Sequence, residues 1–580
     1  MLLATFLFSS FVALQAAGPN TQDASAAAPA RVALEKTLTV DGTHLIVPIA
    51  NYHKGPNTKT DPRFIDLGVY DGDKLLQSFN VSLPQGSDAY WLAAYPLEHF
   101  GLNGKKIRIA PLDGVPTPES CRSAFDLIKI GAESDALSAS DYTKPYHNQF
   151  HASTRRGWNN DPNGMVFQNG KYHLYYQYNP FSIFWGNLHW GHLESTDLIH
   201  WEEKPIALYQ NTLKEQCASG SGFIDFNNSA SLGKDTLFVA ATITGRSECL
   251  FYSKDGGMTF NELPENPVLK HKGRDPKVFW YQPEQKWVMA VFDLEACAET
   301  EACAPAQGVD VKESQNGVHN HIAFYESKNL RQWNRAGAFT DPDRGALYEC
   351  PEIYELAVVG KPGESRWILM GAQNRYFIGR FDGKKFHKEA GPLGTKHGAF
   401  YAAQTFSNVP DGRRIQMGWV QTNSYLKQYP DQITNQAFSL PHELTLRETS
   451  EGLRLFFSPV KEAEILRGAV LAEAKDLTLE QTNELLQTCN DELSEVLIEF
   501  ADSGPRQLVI NGINAGFNGS FARIFTDRTF NEVYAEDGLS YEIRNLPANA
   551  LSHSQTRLEA ADGTVIRSLK IYRLQSTWQN

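Results

Sequence analysis

The stretch "HLESTDLIHWEEKPIAL", residues 192–208, reads as a strand, a polar turn, an aromatic and an exit segment, and the chain returns to that plan. It recurs as "LFYSKDGGMTFNELPENPVL" (250–269), "AFYESKNLRQWNRAGAF" (323–339) and "YFIGRFDGKKFHKEAGPL" (376–393), with Ser195, Ser253 and Ser327 in matching places. The serines stand 58 and then 74 residues apart, intervals that suit one four-stranded blade with its loops. Between residues 146 and 445 no long helical pattern interrupts the repeat, and about 300 residues would hold about five blades. The expectation is a five-bladed β-propeller whose central funnel offers a pocket.

Outward from this core, residues 31–135 alternate apolar and polar in short runs such as "THLIVPIANY", "FIDLGVYDG", "LLQSFNVSL" and "KKIRIAPL", separated by Gly, Asn and Pro. That pattern predicts an additional N-terminal antiparallel β domain, with Glu133 to Lys144 as its linker. Residues 450–580 again read as strands, "LSEVLIEFAD" and "SLKIYRLQSTW" among them, and predict a C-terminal β-sandwich. Only "PVKEAEILRGAVLAEAKDLTLEQTNELLQ" hints at a helix, so the class is all-β.

A chain of 580 residues exceeds one ordinary core, which fits two or three domains. With 54 basic against 67 acidic residues, a net charge of −13, nothing attracts it uniformly to nucleic acid or an anionic membrane. The opening 28 residues carry an apolar run from Leu2 to Leu14, then small and polar residues, and read as a signal peptide and leader of a secreted or periplasmic protein. That run is well short of the roughly 20 apolar residues of a spanning helix, and no other stretch qualifies. The seven cysteines show no metal-type spacing, so neither metal nor other cofactor is expected; Cys297 and Cys303 are close enough for a loop disulfide. Oligomeric state is left open.

Chemistry concentrates at "GWNNDPNGMVFQNGKYHLYYQYNP". Asp161 sits among Asn159, Asn160, Pro162, Asn163 and Gly164, a set that by itself makes a turn. Around it stand Trp158, Tyr175, Tyr176, Gln177, Tyr178, Trp185, His189, Trp190 and His192. Rings that stack on sugar faces, beside amides and imidazoles that bond hydroxyls, are what a carbohydrate pocket requires. Two further carboxylates, Asp275 in "HKGRDPKVFWY" and Glu349 in "ALYECPEIYEL", would join Asp161 if each lies at the funnel mouth of its innermost strand.

These residues carry a resemblance to glycoside hydrolase family 32, the invertase, inulinase and levanase group of β-fructosidases. It rests on "WNNDPNG", "YYQYNP", "WGNLHWGH", "SGS" at 219–221, "RDP" at 274–276, "ECP" at 349–351, "FYAAQTF" at 400–406, "MGW" at 417–419 and "DRTFNEVYAEDG" from Asp527. The resemblance implies a five-bladed propeller plus sandwich, with Asp161 as nucleophile, Glu349 as acid/base and Asp275 as a clamp on the sugar hydroxyls, held by Arg274. It also implies that Asn160, Gln177, Trp185, Ser219 and Trp419 line the fructose subsite. The two catalytic jobs demand opposite charge states, so the surroundings must favour the protonated form of Glu349 while Asp161 stays ionised.

The pattern departs from the family at Ala218, where a Trp commonly precedes "SGS", at Ala399, where an Asp commonly precedes "FYA", and at His442, where Arg is usual. The first two bear on substrate choice; His442 reads as structural. The leading expectation is a secreted retaining enzyme that releases fructose from the ends of levan or inulin, and from sucrose. A sucrose-preferring invertase or a fructosyltransferase shares the same three carboxylates. From another class, a non-catalytic sugar-binding propeller would be favoured by loss of Asp161 or Glu349, and both are present. "SKDGGMTF" resembles the Asp-box of sialidases, but no three-arginine clamp accompanies it. An arabinan-cleaving propeller does not explain "WNNDPNG" together with "ECP".

Overall fold

A computed structural model describes residues 31–50, 64–112, 117–296, 318–394, 397–422, 432–489, 493–510, 513–547 and 556–578. The leader over residues 1–28 and the Cys297–Cys303 pair lie outside the described residues.

Five sheets follow one another along the middle of the chain, antiparallel except where Thr434–Asn435 pairs parallel with Gly157 and Trp158 of the first. Their innermost strands are Gly157–Gln168, Cys217–Asp225, Arg274–Tyr281, Glu352–Ala357 and Phe400–Thr405. From each of these, three more strands run outward by antiparallel pairing. The expected repeat segments form the outer half of the first four sheets, for example His189–Ser195 with Glu202–Leu208. The fifth sheet includes His442–Thr449 and Gly452–Pro459, so it reaches past residue 445.

Contacts between inner strands link the sheets into a ring. Gly220 N–H donates to Asn163 Oδ1 at 3.1 Å, Ser221 Oγ to the Pro276 carbonyl at 2.8 Å, and Lys277 Nζ pairs with Glu352 Oε1 at 2.7 Å. Thr405 Oγ1 then donates to Glu352 Oε2 at 2.8 Å, and Ser407 N–H to the Met165 carbonyl at 3.0 Å, which returns to the first sheet. The approach is close enough that a Cβ on Gly222 would meet the Gly164 carbonyl oxygen at 2.3 Å. Glycine is required at that crossing because any side chain would push two blades apart. A β-propeller is the result.

The N-terminal region forms a four-stranded sheet (Lys36–Thr39, Lys106–Pro111, Phe64–Asp71, Lys74–Ser82) and a three-stranded one (Trp91–Pro96, His44–Ile49, Lys129–Gly131). Their shared core takes in Ile206 of the first propeller sheet and Phe181 of the turn after Lys171–Asn179, and Phe79 stacks on Phe181 at 4.1 Å. Gln77 Nε2 donates to the Gln210 carbonyl and Gln210 Nε2 to the Ser78 carbonyl, both at 2.7 Å.

Toward the C-terminus a seven-stranded sheet faces a three-stranded one around Ile498, Phe500, Leu508, Ile524, Leu558 and Ile571, a β-sandwich. The helical hint of residues 459–487 resolves differently from its reading. Lys461–Leu466 is a 3-10 turn, Arg467–Leu477 is an edge strand of the large sheet, and only Leu479–Leu486 is α-helix. Strand pairing with Ile566–Leu574 outweighs the helix propensity of Ala, Glu and Lys there. The helix starts where Thr478 and Gln481 cap each other reciprocally. Among the described residues no helix is long and apolar enough to cross a membrane.

Candidate active site

Four of the five inner strands break register at one end. The irregularities fall between Asn159 and Pro162, Cys217 and Gly220, Arg274 and Lys277, and Tyr401 and Gln404. A bulge releases a residue from the ladder and re-aims its side chain. The residues so released include Asn160, Asp161, Ala218, Ser219, Asp275 and Ala402. Sequence places these bulges next to Pro and small residues, where a ladder hydrogen bond is missing or cheaply lost.

Backbone conformation marks the same place. Asp275 (φ +67°), Glu349 (φ +54°), Cys350 (φ +42°) and Ala402 (φ +48°) all occupy the left-handed region, which costs a non-glycine residue of order 1–3 kcal/mol. Local bonds hold them there. The Ala372 amide donates to the Glu349 carbonyl at 3.0 Å, Ala402 N–H to the Ala372 carbonyl at 2.8 Å, and Cys350 N–H to Asp275 Oδ2 at 3.0 Å.

Two of the three carboxylates meet at one buried thiol. Cys350 Sγ lies 3.6 Å from Asp161 Oδ2 and 3.7 Å from Asp275 Oδ2. Asp161 takes a bond from Ser219 Oγ at 2.6 Å and from Asn160 Nδ2 at 3.2 Å. Asn160 Nδ2 also reaches Gln177 Oε1 at 2.8 Å, its carbonyl accepts from Trp158 Nε1 at 2.9 Å, and Gln177 Nε2 donates to Ser219 Oγ. Thus Asn160, Gln177 and Ser219 form one amide and hydroxyl mesh around a single carboxylate.

Glu349 stands higher, 24% exposed against 4% for the side chain of Asp275. One oxygen pairs with Arg274 and the other accepts from Tyr401 OH at 2.9 Å. The direct bond of Arg274 therefore goes to Glu349, while its Nε is 3.7 Å from Asp275 Oδ2. One cation serves two carboxylates, with the Phe292 ring 5.0 Å from the guanidinium carbon. Trp419 is buried, donates from Nε1 to Gln436 Oε1 at 2.9 Å, and sets its ring edge-on to Trp158 and Tyr401, 5.9 Å from each. Trp185 stands apart on the loop before His189, 51% exposed.

Burial pushes Asp161 up to about 6, against the pull of the Ser219 and Asn160 bonds and with a further push from the Glu349 charge. Asp275 rises to about 7, again through burial, with Arg274 opposing and Glu349 adding. Desolvation disfavours the charged form, and three carboxylates in one pocket repel.

Two residues of this cluster stood inside quoted motifs with no role assigned to them, Tyr401 in "FYAAQTF" and Cys350 in "ECP". Only the structure shows the Tyr401 hydroxyl on Glu349 and the Cys350 thiol beside Asp161 and Asp275. The departures have definite places: Ala218 accepts from Trp190 Nε1 at 2.9 Å, and Ala399 donates to the Ile543 carbonyl at 3.0 Å. His442 is buried, with Nε2 3.0 Å from Gln416 Oε1 and its ring 4.8 Å from Tyr541 of the sandwich. In "SKDGGMTF" the Asp255 carboxylate accepts from the amides of Met258 and Thr259 and so closes its own turn.

The sequence profile described as "Glycosyl hydrolases family 32 N-terminal domain" matches residues 151–301 and 309–459. A levanase of Bacillus subtilis is 33% identical over 527 residues, covering 78% of this chain and 74% of the relative. An extracellular exo-inulinase of Aspergillus niger is 29% identical over 388 residues, 57% of this chain and 68% of the relative. Among solved structures, the crystal structure of exo-inulinase from Aspergillus awamori superposes with a TM-score of 0.61 at 22% identity, over 75% of this chain and all (100%) of that one.

Proposed function

Since the chain belongs to glycosyl hydrolase family 32 and is a glycoside hydrolase, we propose that it is a secreted, retaining exo-β-fructosidase acting on fructans of the levan or inulin type and on sucrose. The observation that carries this reading is the clustering of Asp161, Asp275 and Glu349, the first two at the Cys350 thiol and the last two sharing Arg274, with Asp161 braced by Ser219 and Asn160.

Asp161 would attack the anomeric carbon of a terminal fructofuranosyl unit. As that bond forms, the glycosidic bond breaks and its oxygen takes the proton of Glu349. A water then attacks the fructosyl ester, gives its proton to the Glu349 carboxylate, and frees Asp161 with fructose. Asp275 would grip the sugar hydroxyls, with bonds that tighten as positive charge develops at the ring. Arg274 and Tyr401 hold Glu349 on the open side of the pocket, where a leaving group would stand. The N-terminal sheets, packed on the first blade, would favour a polymer by extending the surface beside that blade.

A direct attack implies retention of configuration. Proton NMR of the first fructose released from levan, inulin and sucrose, recorded before mutarotation, should show the β anomer and single fructose units. An initial α anomer would remove the nucleophile role from Asp161. Longer oligosaccharides among the first products would remove the exo mode.

A further inference from the structure

Behind Asp275 runs a chain of buried polar groups that reaches it through its backbone amide. The bulge takes the Asp275 amide out of the strand ladder, whose regular pairs resume only at Lys277 with Ala290. That amide donates instead to Thr242 Oγ1 at 2.8 Å. The Thr242 hydroxyl donates in turn to Glu248 Oε2 at 2.8 Å. Thr242 and Glu248 are cross-strand partners in one hairpin, and Glu248 is fully buried.

Glu248 is held from its other side. Its Oε1 pairs with His271 Nε2 at 2.6 Å, and His271 Nδ1 faces Asp293 Oδ1 at 3.1 Å. The imidazole side chain is 3% exposed and lies between two carboxylates, which raise it to about 9 against the pull of burial. His271 also stands three residues before Arg274, so one segment carries both this cation and the guanidinium of the pocket.

Charge neutralisation explains why His271 sits between Glu248 and Asp293. It does not explain why the array ends on the amide of a residue at φ +67°. A hydroxyl can accept and donate at once, and a carboxylate can only accept, so Glu248 fixes the direction in which Thr242 offers its lone pair. We propose that Thr242 and Glu248 are positioning residues for Asp275, with His271 holding Glu248 in place. Through them, the second sheet sets the aim of a carboxylate borne by the third.

This inference rests on the reading of Asp275 as the sugar clamp, so Asp275→Asn is measured alongside. The probes are Thr242→Val, Thr242→Ser and Glu248→Gln, assayed for fructose release from sucrose and from levan, with melting temperatures taken in parallel. Misplacement by about 1 Å costs on the order of 100-fold, so Thr242→Val should lower kcat by about 10- to 100-fold. KM should change far less, since the lost aim matters in the transition state. Thr242→Ser, which restores the hydroxyl, should recover kcat to within about threefold, and Glu248→Gln should fall between the two. A Thr242→Val enzyme with parental kcat, or a serine variant no better than valine, overturns the inference. If Thr242→Val does not fold, Glu248→Gln decides by the same split between kcat and KM. Parental activity in Asp275→Asn would instead overturn the role given to Asp275 itself.

Discussion

Replacing Ser219 with alanine removes the shortest bond to the proposed nucleophile, and its effect can be worked from the pocket. Ser219 Oγ donates to Asp161 Oδ2 at 2.6 Å, and burial already holds Asp161 at about 6. A hydrogen bond to a charged group is worth about 1.5–3 kcal/mol, and it favours the ionised form alone. At 1.36 kcal/mol per unit, its loss should raise Asp161 by about 1–2 units. Attack needs the carboxylate, so activity climbs as pH rises through this value. The acid limb of kcat/KM should therefore move from near pH 6 toward about 7–8 in Ser219→Ala. Above that limb the carboxylate forms in both enzymes, and the plateau should drop by no more than about tenfold, the share of one neutral contact. The assay is initial fructose release from sucrose, well below KM, between pH 4 and 9 at fixed ionic strength. An acid limb that stays in place, or moves to lower pH, would refute the assignment of that limb to Asp161.

Asp161→Asn and Glu349→Gln preserve shape while removing the charge or the proton, and each should lose about 100- to 10,000-fold or more in turnover while melting as a folded protein. Turnover of Glu349→Gln within tenfold of the parent would end its acid/base role. Activity should survive dialysis against EDTA, because two carboxylates suffice for this chemistry; loss restored by added metal would contradict it. His151, buried between Asp527 Oδ2 and Glu532 Oε2 at 2.9 Å each, pins the propeller to the sandwich. The two carboxylates pull its value up and are themselves pulled down. The histidine's share of stability is complete below its unfolded value of about 6.5 and fades as pH rises through the raised one. The carboxylates' share is complete above about 4.3 and fades as pH falls. Melting scans should accordingly place the optimum of this contribution between about pH 4.5 and 6.5, and Glu532→Gln should cost about 3–5 kcal/mol. A Glu532→Gln protein that melts like the parent across that window would show the clamp to be idle.

The all-β class was legible because it rests on local chemistry. Strand runs of period two, closed by Gly, Pro, Asn and Asp, announce themselves over a dozen residues, and the recurrence of Ser195, Ser253 and Ser327 announces blades. The three carboxylates were legible too, since Asp161, Asp275 and Glu349 each stand beside proline, cysteine or an amide in settings that a plain strand does not need. Where local preference and pairing disagreed, at Arg467–Leu477, the sequence read as helix and the sheet prevailed, because ladder partners 100 residues away are invisible locally. The pocket itself belongs to tertiary structure. Asp161 and Asp275 approach one thiol only because the inner strands close into a ring, and bulges in four of those strands decide which side chains turn inward. Nothing in the chain order shows that Arg274 would bond Glu349 rather than its own neighbour Asp275, that Tyr401 would cap the other oxygen, or that Thr242 would receive the Asp275 amide. Composition and periodicity dictate what a segment can become; hydrogen-bond partners and burial, and with them the protonation of each carboxylate, depend on groups brought together from distant parts of the chain.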